Sequence, residues 1–213
     1  TSCNGFFCYV FRNILENRKY SSIQDAFDSW REYVTSFGFG DKLGSDFPAE
    51  KGGMIPKSER YDKMYGKGHW KFSNIVSLSI GQGEIGATPL QIANLAAIMA
   101  NRGWYVTPHI FSDTPAETRR VLVDSSLFEP IVEGMYRAVN APAGSGATAT
   151  FAAVKGLDIC GKTGTAENPH GDDNSVFICF APQDNPKIAM YSPSREDFHT
   201  PQEKHKQFRH LRN

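Results

Sequence analysis

Gly161-Lys162-Thr163-Gly164-Thr165 is the stretch on which the fold turns. Ile159-Cys160 lead into it, and Ser175-Val176-Phe177-Ile178-Cys179-Phe180 follow after a polar segment. The two runs read as an antiparallel hairpin. The first run carries an ammonium, a hydroxyl and a residue without a side chain, side by side. Such a strand offers a cation and a donor to a carboxylate. Gly164 leaves room for an extended peptide to lie against it, as strand addition to a sheet edge requires.

Upstream the pattern is helical. Phe6, Val10, Ile14, Phe7 and Phe11 recur at helical spacing and predict a helix over 5–18. Ile23, Phe27, Trp30 and Val34 predict a second over 22–35, ended by Phe37-Gly38-Phe39-Gly40. Residues 41–74 read as a long polar loop of the kind that covers a groove. Ile75–Ile80 alternates like a half-buried strand. Thr88-Pro89 predicts a helix start, with Thr as N-cap and Pro in the first turn. Leu90, Ala93, Ala97 and Ile98 form its apolar side, and Asn101-Arg102-Gly103 closes it. Trp104–Ile110 is strand-like. Asp124 caps a helical segment over 125–140 with Phe128, Ile131, Val132, Met135 and Val139 inward, and Pro130 marks its first turn. A linker over 141–146 and a short helix over 147–153 lead to the hairpin. Helices first and paired strands last predict an α+β fold, an antiparallel sheet flanked by helices.

Bulk composition narrows the function classes. A chain of 213 residues buries one sizeable core or two small ones. Lys plus Arg balances Asp plus Glu at 23 each, so nothing global points to nucleic acid. Leu90–Ala100 is the longest apolar run and is too short to span a bilayer. The four Cys (Cys3, Cys8, Cys160, Cys179) lack metal-type spacing and read first as buried free thiols. A second option is a cross-strand bridge between Cys160 and Cys179, which face each other if 165 and 174 bound the turn. His199, His205 and His210 are too irregularly spaced for a metal, and no cofactor is implied.

Two motifs match nucleotide-binding patterns and fail on context. Gly156–Thr163 fits the phosphate-loop pattern, but Gly164, Asn168 and Pro169 follow where a helix is required. Gly81-Gln82-Gly83-Glu84-Ile85-Gly86 fits the dinucleotide fingerprint, but the helix starts only after the third Gly, and no acid lies about 20 residues on.

The segments taken together resemble the class B penicillin-binding proteins, specifically the elongation-type peptidoglycan D,D-transpeptidases. Ser2-Cys3-Asn4 resembles the family's Ser-x-Asn motif. Gly81–Gln91 resembles its Gly-Gln-Gly turn and Thr-Pro-Leu-Gln helix start. Gly161–Ala166 resembles its Lys-Thr-Gly strand. Asn168-Pro169-His170-Gly171-Asp172-Asp173 and Phe37–Gly40 are similar to the elongation-type members. The resemblance implies a penicillin-binding-protein/β-lactamase-like fold over 1–190, incomplete at both ends, with 191–213 a non-matching, disordered tail.

It also implies roles. Ser2 relays a proton to the leaving amine, Asn4 hydrogen-bonds the substrate amide, and Lys162 supplies positive potential. Thr163 binds the substrate carboxylate, Gly164 leaves room for it, and the Thr165 N–H is half of an oxyanion hole, worth roughly 3 kcal/mol. Plain helix capping is the structural alternative for Ser2, and a solvated edge strand for Lys162-Thr163. The reading requires Ser2 and Lys162 to serve one cleft. The family's acyl-enzyme serine sits in Ser-x-x-Lys. No Ser here has Lys three residues later, so that motif is expected upstream, and the isolated chain is expected to be inactive.

The implied ligands are the D-Ala-D-Ala end of a stem peptide and the β-lactams that mimic it. The implied partners are elongation-complex membrane proteins. The implied location is the inner membrane with a periplasmic catalytic domain, the anchor lying outside this chain. A β-lactam-sensing domain and a serine β-lactamase are the alternatives on the same scaffold. The Gly-Gln-Gly and Thr-Pro-Leu-Gln segment favours the transpeptidase.

Overall fold

The computed structural model describes residues 3–142, 144–166 and 173–194. In chain order the elements are α1 (Asn4–Leu15), α2 (Ile23–Ser36), α3 (Ser58–Tyr65), α4 (Pro89–Ala100), β1 (Trp104–Val106), β2 (Thr118–Arg120), α5 (Glu129–Asn140), β3 (Cys160–Ala166), β4 (Asn174–Ala181) and β5 (Ile188–Ser194). The contacts divide the chain into two units. One holds residues 2–91 and 106–123, the other 92–105 and 124–213.

The first unit is organised on aromatic rings. Phe27 of α2 is fully buried and meets Tyr61 and Trp70 edge-on, with ring centroids 5.5 and 5.7 Å away. Edge-to-face pairing adds to the burial of each ring. Phe11 and Leu15 of α1, Ala26, Ile75 and Leu78 complete this core. Ser22 caps α2 as its spacing requires, its hydroxyl accepting the Asp25 N–H at 3.1 Å.

Residues 41–74 are not the plain loop that their polarity predicts. They contain α3, whose Tyr61 is buried and whose other buried residue is Ser58, three positions earlier. The Ser58 hydroxyl donates to Asp28 at 2.8 Å, and Trp70 Nε1 donates to Asp62 at 2.7 Å. One aromatic and one hydroxyl make too weak a stripe for periodicity to find. Ile75–Ile80 is a second correction, because it forms a 3-10 helix over Val76–Ile80 and not a strand. Ile75 and Leu78 are the buried pair, three apart as that helix eclipses its side chains.

The α4 start matches its sequence signal and extends it. Thr88 Oγ1 accepts the Gln91 N–H at 3.3 Å while Gln91 Oε1 accepts the Thr88 N–H at 3.0 Å, a reciprocal capping box. The buried positions of α4 are Gln91, Asn94, Ala96, Ile98 and Ala100, not the predicted Leu90, Ala93 and Ala97. A helix apolar nearly all round does not single out a face. Gln91 Nε2 also donates to the carbonyls of Gly38, Asp41 and Gly52, each at 2.8 Å, and so gathers the 38–52 segment around one amide.

In the second unit β3, β4 and β5 form an antiparallel sheet in that order. Cys160, Ile178, Phe180 and Ala189 pack with Val132, Met135 and Tyr136 of α5. Ile159, Phe177, Cys179, Ala181 and Met190 pack with Val139, Ala149 and Ala152. The two sets alternate along the strands, so the sheet is buried on both faces. Asp124 caps a 3-10 turn over Ser125–Leu127, and α5 begins after it with Pro130 in its first turn. Phe128, Val132, Met135 and Val139 are buried as predicted, but Ile131 is 48% exposed. Two elements are shorter than expected: β1 ends at Val106, and the segment over 147–153 supplies only a 3-10 turn, Thr150–Ala152. β5 continues past Met190 to Ser194 opposite Ser175. Residues 195–213, where the rest of the expected tail lies, are outside the described residues.

All four Cys are free. Cys3 is exposed and Cys8 half-buried, so only Cys160 and Cys179 are the buried thiols expected. The strand register explains the missing bridge: Cys160 pairs with Phe180 and Cys179 with Gly161. The offset of one residue puts the two sulfurs on opposite faces of the sheet. Burial pushes the Cys160 thiol up to about 12 and the Cys179 thiol up to about 11.

Candidate functional site

β3 is an outer strand of its sheet among the described residues, and it carries Lys162, Thr163, Gly164 and Thr165 together. Its start is held by α5. The Asn140 side-chain amide donates to the carbonyls of Tyr136 at 3.0 Å and Ile159 at 2.8 Å, tying the helix end to the residue before the strand. Its far side is held by seven paired positions, from Cys160–Phe180 to Ala166–Asn174. A site built on a strand so fixed is precise, because backbone pairing leaves little freedom in the position of each side chain.

Strand alternation sorts the four residues. Lys162 pairs with Ile178 and Gly164 with Val176, and they share one face. Thr163 pairs with Phe177 and Thr165 with Ser175, and they share the other. The cation and the hydroxyl that are neighbours in sequence therefore leave the strand on opposite sides. The Lys162 ammonium returns to its own strand and donates to the Thr163 carbonyl at 2.5 Å. Burial lowers the pKa of Lys162 below its usual value. Desolvation disfavours the charged form, and an anion placed beside the ammonium would restore it.

Two glycines of the strand have steric reasons of their own. A Cβ on Gly161 would come within 2.5 Å of the Phe177 ring, and one on Gly164 within 2.8 Å of Val176 Cγ2. Gly164 thus has a cross-strand packing reason to lack a side chain.

Thr163 has a partner that sequence reasoning missed. Its hydroxyl donates to the hydroxyl of Thr148 at 3.2 Å. Thr148 lies in a run of small residues without periodicity, and only the folded chain brings it to β3.

Asn4 belongs to the other unit, where it opens α1 and is exposed. The N-cap position is Cys3, in extended conformation and with no side-chain cap on the first turn. The helix is anchored further along, where Cys8 Sγ lies 3.1 Å from Ser79 Oγ. Ser2 lies outside the described residues, as does Asn168–Asp172 of the loop after β3. The nucleotide-binding patterns are set aside by structure as well as by sequence. Lys162 of the phosphate-loop pattern sits within a strand, and α4 starts three residues beyond Gly86.

Comparison with known proteins bears on the whole chain. Residues 1–205 match the penicillin-binding protein transpeptidase domain. The chain is 30% identical to the peptidoglycan D,D-transpeptidase MrdA of Acinetobacter baumannii over 215 residues, covering 89% of this chain and 30% of that protein. Among solved structures, Pseudomonas aeruginosa PBP2 in complex with WCK 5153 is similar with a TM-score of 0.69 at 28% identity, over 89% of this chain and 40% of that one. Helicobacter pylori PBP2, solved in complex with MreC, is similar with a TM-score of 0.71 at 26% identity, over 89% of this chain and 34% of that one. The chain spans about 30% of the length of the curated relatives it matches. By its match over nearly its whole length, and by the strand and helix start that carry the motifs, the chain belongs to the penicillin-binding protein transpeptidase domain family.

Proposed function

We propose that this chain supplies the substrate-carboxylate side of a peptidoglycan D,D-transpeptidase. The substrate is the D-Ala-D-Ala end of a stem peptide, and β-lactams take its place. A serine attacks the penultimate carbonyl, the terminal D-Ala leaves, and the amine of a second stem peptide resolves the acyl-enzyme. Thr163 donates to the terminal carboxylate, Lys162 supplies positive potential, and Gly164 keeps the strand open to the peptide. The Thr165 N–H donates to the developing oxyanion. Ser2 returns the proton to the leaving amine, and Asn4 holds the substrate amide.

The observation that supports this reading most is the placing of Lys162–Thr165 on an outer strand clamped by α5 and β4. A solvated edge strand needs neither a half-buried lysine nor a threonine engaged by a second hydroxyl. The MrdA relationship favours the transpeptidase over a sensor or a β-lactamase. By the same relationship the complete protein works at the membrane with elongation-complex proteins, its catalytic domain outside the cytoplasm. None of the described helices is long and apolar enough to cross a membrane.

The test is acylation of the full-length gene product by a fluorescent penicillin. Thr163→Val is expected to lower the second-order rate about 10- to 100-fold by removing a hydrogen bond to a charged group. A rate unchanged in Thr163→Val, with the protein folded, defeats the assignment.

A further inference from the structure

The Thr163–Thr148 contact joins residues from two different segments. Thr148 is placed by its backbone: the next residue, Ala149, is fully buried, and its N–H donates to the Ala138 carbonyl of α5 at 2.9 Å. The Ala152 N–H then donates to the Ala149 carbonyl at 3.0 Å, closing the turn. The helix that holds the start of β3 through Asn140 therefore also holds the segment that presents Thr148.

A hydroxyl has one proton to donate and two lone pairs. In the structure Thr163 directs its proton to Thr148. A carboxylate accepts only, so Thr163 can bind one only by turning that proton toward it. The contact survives that turn only if Thr148 reverses its role and donates to Thr163 Oγ. The result is a chain, Thr148 O–H to Thr163 O–H to carboxylate, in which each bond polarises the next. The terminal bond is charge-assisted and the strongest of the set. Both side chains are β-branched, with few rotamers, so the chain is set up at small entropic cost.

We infer that Thr148 is a positioning residue for the Thr163 hydroxyl, reversing the hydrogen bond between them when a carboxylate-bearing acyl donor binds. The inference rests on the reading of Thr163 as the carboxylate ligand.

The experiment compares acylation of the full-length gene product by benzylpenicillin and by its methyl ester, which lacks the anion. The ratio of the two rates isolates the carboxylate from any general loss of fold. Thr148→Val, which keeps the shape and loses the hydroxyl, is expected to lower the acid-to-ester ratio about tenfold. Thr148→Ser is expected to restore it, and Thr148→Ala replaces the Val variant if that one does not fold. A ratio that stays at the wild-type value in Thr148→Val overturns the inference, whether the two rates fall together or not at all. A wild-type protein that does not distinguish acid from ester overturns the carboxylate reading of Thr163 itself, and this inference with it.

Discussion

Lys162 is where burial and charge oppose each other. Its folded-state pKa is lowered by burial from 10.5, so in the window below 10.5 the unfolded chain binds the proton more tightly. Stability therefore rises with pH across that window, and at neutral pH the charged side chain is carried at a cost. Lys162→Met is expected to raise the urea midpoint at neutral pH, with the gap from the parent closing as pH rises toward 10.5, while penicillin acylation falls. A gap independent of pH contradicts the account. The common strand of Lys162, Thr163 and Gly164 was legible in the sequence because the β-prone run and its polar turn carry it. Thr148 was not, since its hydroxyl acquires meaning only when the turn after α5 brings it to β3. The opposite faces of Lys162 and Thr163 follow from strand alternation alone.

At the scale of elements, caps and strong apolar periodicity gave α1, α2, α5 and the β3–β4 hairpin nearly in place. Thr88 and Pro89 marked the start of α4. Ile75–Ile80 was misread because the apolar residues 76, 78 and 80 mimic a period of two, whereas burial falls on Ile75 and Leu78. α3 stayed hidden because hydrogen bonds to Asp28 and Asp62 do what an apolar stripe does elsewhere. Two variants test how elements are held. Gly164→Ala brings a Cβ to within 2.8 Å of Val176 Cγ2 and is expected to cost about 1–3 kcal/mol. Most of that returns in the double variant with Val176→Ala, read by denaturation, and additivity of the two changes contradicts the contact. Gln91→Met leaves three carbonyls without their donor and is expected to cost about 2 kcal/mol. Faster amide hydrogen exchange confined to 38–53 is the expected signature, and unchanged exchange there counts against it.

At the scale of the whole molecule, a match over residues 1–205 meets a sequence in which no Ser has Lys three positions later. The 213-residue chain alone is expected to give no covalent band with a fluorescent penicillin, and the full-length gene product a strong one. A band from the chain alone requires a nucleophile elsewhere in it. The pairing of β3 on β4 also has a chemical corollary. Slipping β3 by a single position would bring the sulfurs of Cys160 and Cys179 opposite each other, and the same slip would turn Lys162 to the side now held by Thr163. In an oxidising compartment a bond between these sulfurs would thus be a covalent record of mispairing between the two strands.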